Sequence, residues 1–286
     1  SGVVEVSVED LAMTFEEVAR LARKLGVGYG PDEIATLLDH TEGWPVGVYL
    51  SLLAASKHGI ADPIDIRGDD RYLAEYLDSQ IINDLTHARM SFLVRCSVLD
   101  ELSGPLCDWT IDRSRSQKAL EDLSRSNLLV APLDRSNRRF RLHSLLREHL
   151  HDELIKLDPA LDAQLHHRAS IWFERENQPV EAIRHAIEDD DADRVAELVM
   201  SNAQQLFDAG RIVTVNDWLA WFDTDQRRQE YPGVALLAGM ATSAQGDVVA
   251  AERWRVAVDR SRGSFGDLEP LVCFYDALTG VNGADA

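Results

Sequence analysis

Residues 128–150 have the sequence LLVAPLDRSNRRFRLHSLLREHL, and this stretch decides the fold of the middle of the chain. Two short apolar runs flank the polar segment 134–137, which is typical of a β-hairpin with a four-residue turn. A helical pattern follows at once, from residue 144 to about 157. Because further helical patterns precede the hairpin, the sequence predicts a winged-helix domain over residues 69–157.

Residues 13–68, on the amino-terminal side of the hairpin, predict a helical domain. Thr14 and Glu17 have the spacing of a capping box, in which each side chain satisfies a backbone amide at the start of a helix. Pro31 and Pro45 stand where two further helices begin, since proline at the first helical position loses no hydrogen bond. We therefore expect a bundle of three helices before a polar linker.

Residues 158–286 have helical patterns throughout, in pairs of about 30 to 40 residues separated by turn signals such as Gly210 and Gly246. This period predicts a TPR-like α-solenoid, a superhelical sensor domain whose last unit is incomplete. Four large side chains are expected to be largely buried in it, namely Trp172, Leu198, Trp218 and Trp254. The fold class is thus mainly α: a helical bundle, a winged-helix domain with a β-hairpin, and a solenoid.

Residues 3–8 alternate weakly between apolar and polar side chains and predict one short strand. No partner strand follows nearby, so the strand is expected at the edge of a sheet whose remainder is absent. The chain also begins at Ser1 rather than at a methionine. We expect this chain to be part of a longer protein.

The charge of the chain argues against generic nucleic-acid binding. Lys and Arg number 29 against 49 Asp and Glu, a formal net charge of −20, whereas binding to phosphates depends on cationic side chains. The hairpin turn is nevertheless rich in arginine. Arg135, Arg138 and Arg139 could contact DNA phosphates, so a winged-helix DNA-binding module stays open as an alternative.

The sequence contains neither the phosphate-binding pattern GxxxxGK[ST] nor the nucleophile pattern GxSxG. We therefore predict no catalytic residues, and no ATP hydrolysis by this chain alone. The histidines of segments 148–151 and 166–167 lack HExxH spacing, so we interpret both segments as solvated helix faces and predict no metal site. Three widely spaced cysteines and the absence of long apolar runs favour a cytoplasmic protein that does not contact a membrane.

Two positions could carry a binding function. The segment 41–45 packs a glycine and a proline around Trp44 at a helix start, and the ring of Pro45 offers a flat apolar face to a nucleobase. His143 lies where the second hairpin strand enters a helix, so its imidazole and free amide groups, facing outward, would suit a phosphate. The structural alternatives, a tight helix-to-helix turn and a histidine satisfied within the fold, stay open.

Several segments resemble, in the same order, motifs of MalT-like regulators, the large ATP-binding LuxR-family transcription activators of the STAND class. The resemblance extends over nearly all of residues 5–260. The segments are 41–50 (family motif TEGWPAGL), 72–77 (YLxEEV), 92–107 (FLLRTSILDRLSGPLCDAL), 127–146 (PLDxxRxWYRYHPLF), 166–172 (LHRRAAxWY) and 181–186 (EAIxHAL).

The resemblance implies a domain order of P-loop NTPase, helical domain, winged helix, TPR-like sensor and LuxR-type helix-turn-helix. Residues 1–12 would then be the last strand of a truncated NTPase domain. ATP or ADP and Mg²⁺ would bind the full-length parent, a slow ATPase switch, and no cofactor would bind this chain alone. The implied partners are the parent's own NTPase domain, an effector molecule or protein at the solenoid, and DNA through the missing helix-turn-helix.

The resemblance also assigns site residues. In related NTPases the proline of a GxP motif packs on adenine, and a winged-helix histidine contacts the β-phosphate of ADP. By resemblance, the GxP motif here is Gly43-Trp44-Pro45, and the histidine is His143. The implied function is a central regulatory fragment that couples nucleotide state to effector sensing. A protein-interaction scaffold of a kinase-linked relative is a further alternative. If His143 awaits a phosphate, His143→Ala should leave the stability of this chain nearly unchanged.

Overall fold

The computed structural model of the chain divides into two compact units, residues 1–172 and 173–286. The strand expected at 3–8 and the linker expected after the first three helices lie outside the described residues. The predicted domain limits at residues 12, 68 and 157 stay predictions. The structure describes residues 11–58, 71–83, 85–126, 130–263 and 265–279.

The first unit begins with the predicted bundle of three helices, α1 (Phe15–Lys24), α2 (Pro31–Thr41) and α3 (Pro45–His58). The capping box is confirmed: the Glu17 carboxylate accepts the Thr14 N–H at 2.9 Å, and the Thr14 hydroxyl accepts the Glu17 N–H at 3.4 Å. Apolar side chains spaced along one face of each helix form the bundle core. They include Val18, Ile34, Leu37, Val48 and Leu52.

Four helices lead from the bundle to the hairpin. Helix α4 (Arg71–Leu77) continues into a π-helical turn, Asp78–Ile82, which the sequence did not predict. The others are α5 (His87–Cys96), α6 (Gly104–Thr110) and α7 (Ser116–Arg125).

The three strands of the described residues form an antiparallel sheet. They are β1 (Leu102–Ser103), β2 (Val130–Pro132) and β3 (Arg139–Leu142), in the order β1-β3-β2. Phe140 stands opposite Leu102 on one side and Pro132 on the other, and Phe140 and Leu142 are buried while the residues between and before them are exposed. The predicted hairpin is therefore confirmed, and β1 is an additional edge strand.

Helix α8 (Ser144–Leu157) follows the hairpin and packs against both α5 and α2. Its buried face carries Leu145, Leu146, Leu150 and Leu154. The predicted order of helices, hairpin and helix is confirmed, and this last helix brings the hairpin into contact with the bundle.

Beyond α8 the described chain is entirely helical. Helix α9 (Pro159–Arg175) extends across the division between the units, and in the second unit neighbouring helices pack against each other. Leu198, Trp218 and Trp254 are buried as predicted, and Trp172 is partly buried. The remaining helices are α10 (Pro179–Glu188), α11 (Ala192–Asp208), α12 (Ile212–Trp221), α13 (Asp225–Glu230), α14 (Pro232–Gln245), α15 (Val248–Arg260) and α16 (Glu269–Thr279).

The solenoid prediction is thus confirmed for the described part of the chain, with α13 as a short helix that the sequence did not predict. Among the described residues, we find no helix both long enough and apolar enough to span a membrane.

Candidate functional site

The connection between α2 and α3, residues 41–45, is called the GWP turn below. Glu42 and Gly43 both adopt left-handed backbone conformations, with φ of 50° and 71°. Gly43 is needed here, because a Cβ atom would lie 3.1 Å from the Ala12 Cβ and 3.2 Å from the Met13 carbonyl oxygen. The Gly43 carbonyl also accepts the Met13 N–H at 2.8 Å. The turn is therefore fixed in shape before any ligand is considered.

The segment 141–144, between β3 and α8, is called the wing junction. His143 is the residue that caps α8, and its Nδ1 accepts the Leu145 N–H at 3.3 Å. Such a cap satisfies one of the amides that a helix start leaves unpaired. The side chain that the sequence assigned to phosphate binding, His143, thus caps the helix that follows it.

The fold brings the GWP turn and the wing junction together. His143 Nε2 lies 3.1 Å from the Thr41 carbonyl oxygen. The rings of His143 and Trp44 meet edge to face, with centroids 5.4 Å apart. Since Nδ1 accepts from Leu145, the imidazole that fits both contacts is neutral, with its proton on Nε2 directed at Thr41.

Glu42 joins the two segments a second time. One carboxylate oxygen lies 2.7 Å from the Arg141 guanidinium, and the other accepts the Ser144 N–H at 3.1 Å. A carboxylate at the N-terminus of a helix is favourable, because the amides and the helix dipole are positive there. Sequence reasoning missed Glu42, although its place just before a glycine inside the motif was a usable signal.

The surroundings of His143 lower its pKa below the ordinary value. Burial is the main cause, because it disfavours the charged imidazolium, and the charges of Arg141 and His40 act in the same direction. The Glu42 carboxylate and the Thr41 carbonyl oppose this shift. The expectation of an outward-facing imidazole was therefore wrong, since both ring nitrogens are directed at backbone groups of this unit.

The remaining parts of the GWP turn differ in exposure. Gly43 is buried, Trp44 is half-buried, and Pro45 is exposed at the start of α3. Trp44 also meets the Tyr76 ring edge to face at 5.8 Å. Pro45 is thus accessible to a ligand, whereas the Trp44 ring packs against those of His143 and Tyr76.

The hairpin turn carries the other arginines that the sequence singled out, Arg135, Arg138 and Arg139. Asp134 organises the turn, since its carboxylate accepts the N–H groups of Arg138 at 3.0 Å and Arg139 at 3.1 Å. These hydrogen bonds, the Arg138 bond first, lower the pKa of the Asp134 carboxyl group. Arg135 and Arg138 are exposed, and Arg139 forms an ion pair with Glu101 at 3.2 Å.

The histidine-rich segments differ from the sequence interpretation. His149 and His166 are buried, and His149 Nε2 lies 3.0 Å from a carboxylate oxygen of Asp78. The interpretation of both segments as solvated helix faces was therefore wrong for these two residues. They lie on the inner faces of α8 and α9, where helical periodicity places apolar residues as well.

Comparisons with known proteins agree with this architecture. Residues 78–162 match the family described as the MalT winged helix domain. The chain is 26% identical over 228 residues to the HTH-type transcriptional regulator MalT of Vibrio campbellii, covering 78% of this chain and 25% of that protein. MalT of Vibrio cholerae is 28% identical over 217 residues, covering 73% of this chain and 24% of that protein.

A crystal structure of a STAND protein with a tetratricopeptide repeat sensor from Pyrococcus horikoshii aligns with 94% of this chain and 44% of that chain, at 14% identity and a TM-score of 0.42. The fold and the sequence matches together define a mainly helical protein with a central winged helix. Residues 78–162 match the MalT winged helix domain, and the resemblance to MalT-like regulators is confirmed. The chain spans about a quarter of the length of the MalT relatives.

Proposed function

We propose that this chain is the central regulatory part of an ATP-dependent LuxR-family transcriptional regulator, in which the GWP turn and the wing junction couple nucleotide state to effector sensing. The observation that carries the proposal is the contact of His143 with the GWP turn, at Thr41 and Trp44. Two segments about a hundred positions apart meet there through polar atoms. A movement of one segment would therefore alter the contacts of the other.

The site offers the right chemistry for a nucleotide held by a neighbouring domain. Pro45 is exposed and presents an apolar ring to a base. Arg141, His143 and the first amides of α8 form a group of donors suited to a phosphate. The Glu42 carboxylate already contacts Arg141 and the Ser144 N–H, so a negatively charged group of the chain itself occupies the place where the phosphate would bind.

This arrangement supports a switch with two sets of contacts. Without a phosphate, His143 donates to Thr41 and Glu42 holds the start of α8. With the β-phosphate of ADP in reach, His143 and Arg141 would exchange these partners for the phosphate and keep the regulator closed. Replacement of ADP by ATP would release them.

The other partners follow from the longer protein. ATP or ADP and Mg²⁺ would bind its NTPase domain, which would be a slow ATPase, while this chain alone would hydrolyse no ATP because it supplies no phosphate-binding loop. The solenoid would bind the effector, and a carboxyl-terminal helix-turn-helix would bind DNA. Such a regulator acts in the cytoplasm.

The experiment is ADP titration of the full-length regulator, followed with a fluorescent ADP analogue. His143→Ala should weaken binding by about 1.5 to 3 kcal/mol, the range for a hydrogen bond to a charged group, and should raise basal transcription. His87→Ala, which changes an exposed histidine of α5, is the control and should bind normally. Unchanged ADP affinity in a folded His143→Ala protein would refute the proposal.

A second candidate function is DNA binding by the winged helix, favoured by the exposure of Arg135 and Arg138 on the hairpin turn. Its test is a mobility-shift titration at several salt concentrations, since binding through phosphates weakens steeply as salt rises. We expect no salt-dependent shift with this chain. A shift that disappears when Arg135, Arg138 and Arg139 are replaced by Gln would favour the alternative.

A further inference from the structure

Three side chains capable of binding a metal meet between α8 and α9, away from the GWP turn. His151 belongs to α8, whereas Asp162 and His166 stand one helical turn apart on α9. His151 Nε2 and an Asp162 carboxylate oxygen are 2.8 Å apart, and the same oxygen is 3.8 Å from His166 Nε2. One ligand atom from each residue lies within 4.8 Å of the other two.

These distances suit a tetrahedral ion. Zinc binds imidazole nitrogen and carboxylate oxygen at about 2.0 to 2.2 Å, so neighbouring ligand atoms around it are about 3.3 to 3.5 Å apart. The observed separations of 2.8 and 3.8 Å lie on either side of this range. The third separation, between the ring nitrogens of His151 and His166, is at most 4.8 Å, so side-chain rotations would have to bring the three atoms to one ion.

The three side chains of the cluster are buried or partly buried rather than fully exposed. The His166 side chain is 3% exposed, while those of His151 and Asp162 are 22% and 15% exposed. The His151 and His166 rings lie 5.7 Å apart with their planes inclined by 49°. The ion would thus have an entry path past His151 and a largely enclosed position beside His166.

We propose that His151, Asp162 and His166 form a binding site for one divalent transition-metal ion of the zinc class. Two imidazoles and one carboxylate are ligands that zinc and cobalt accept, whereas magnesium and calcium prefer oxygen ligands alone. Three protein ligands leave a fourth position for water. The ion ties α8 to the start of α9 and so fixes the turn between these helices.

The test is titration of the chelator-treated protein with Co²⁺, followed by visible absorption, and then displacement of Co²⁺ by Zn²⁺. We expect the intense spectrum of four-coordinate cobalt to saturate with one ion at this site. Asp162→Asn and His151→Gln change partly exposed ligands at nearly constant volume, and each should weaken binding at least tenfold. His87→Gln removes an exposed imidazole of α5 and should leave binding unchanged.

Thermal unfolding gives a second readout that does not depend on the cobalt spectrum. Zn²⁺ at a hundredfold excess over Kd should raise the melting temperature of the unsubstituted chain by about 5 to 10 °C. The same addition should leave the melting temperature of Asp162→Asn and His151→Gln nearly unchanged. The proposal is overturned if the unsubstituted chain binds Co²⁺ with a Kd of about 100 µM or weaker, or if its cobalt spectrum is that of the six-coordinate aqueous ion. It is also overturned if both ligand variants bind Co²⁺ as tightly as the unsubstituted chain.

Discussion

The core of residues 173–286 and the contact between the GWP turn and the wing junction depend on different kinds of interaction. In residues 173–286 the buried groups are mostly apolar, and they come from helices that are neighbours along the chain, such as α14 and α15. In residues 1–172 the GWP turn contacts the wing junction through polar atoms of residues about a hundred positions apart. The second unit is therefore a scaffold, stabilised by apolar surface buried between neighbouring helices. The contact between the GWP turn and the wing junction is a site, because it depends on the placement of individual polar atoms.

This difference has an energetic side. Burial of apolar surface is non-directional, so small shifts between solenoid helices cost little. A hydrogen bond weakens steeply when its angle or distance changes. The polar contacts between the GWP turn and the wing junction are therefore suited to switching, whereas the apolar contacts of the second unit are suited to holding a shape.

The largest expected effect tests the scaffold. Trp218 is 5% exposed within the apolar core of the second unit. Trp218→Ala should lower the free energy of unfolding by about 3 to 5 kcal/mol, because it leaves a large cavity. Val213→Ala, on the same helix but 74% exposed, is the matched control and should cost less than about 0.5 kcal/mol. Similar losses for both variants, measured by chemical denaturation, would show that the solenoid is not packed in this way.

The next effect tests whether the shape of the GWP turn is required. Gly43→Ala places a side chain on a left-handed backbone and against Met13, so it should cost about 2 kcal/mol. Gly28→Ala is the control, since an added Cβ meets nothing within 4 Å at that position. If the two variants are equally stable in urea, the turn is not held in the conformation described.

A smaller effect tests the polar contact itself. His143→Ala removes the cap of α8 and the contact with Thr41, so it should cost about 1 to 2 kcal/mol in this chain. This replaces the sequence-based expectation of an unchanged stability, which depended on an outward-facing imidazole. His87→Ala serves again as the exposed control, and a His143→Ala loss no larger than that of the control would mean that the two segments are not linked through His143.

The smallest effect concerns pH. Because burial lowers the pKa of His143 in the folded chain, the unfolded chain binds the proton more readily. Stability from this residue is therefore complete above the unfolded pKa, near 6.5, and falls as the pH decreases below it. His143→Gln should flatten the fall in unfolding free energy between pH 7.5 and 5.5 by at most about 1.4 kcal/mol per pH unit, the limit for one proton. An unchanged slope would mean that the pKa of His143 is not lowered.

The fold was largely predictable because its signals are local. The capping box at Thr14, the prolines that begin α2 and α3, and the polar turn between β2 and β3 each depend on a few neighbouring residues. Strand β1 has two residues and pairs with Phe140 and Arg139 far along the chain, so no local pattern marks it. The π-helical turn after α4 likewise has no distinct sequence period.

The candidate site was predictable only in part. The motif resemblance pointed to Trp44 and His143, and the fold places them in contact. Their partners could not be predicted, because Glu42 and Arg141 meet only after the hairpin and α8 have packed on the bundle. The burial of His166 was missed for a similar reason: a histidine can occupy the inner face of a helix once a carboxylate such as Asp162 is nearby.

The most direct test of the account is amide hydrogen exchange in the full-length regulator, compared between its ADP-bound and ATP-bound states. If the GWP turn and the wing junction respond to nucleotide, the amides of residues 42–44 and 144–147 should exchange more slowly with ADP than with ATP. The same comparison in His143→Ala should show little difference at these amides. Equal exchange at both segments in the two states of the unmodified regulator would contradict the central claim that this contact reports the bound nucleotide.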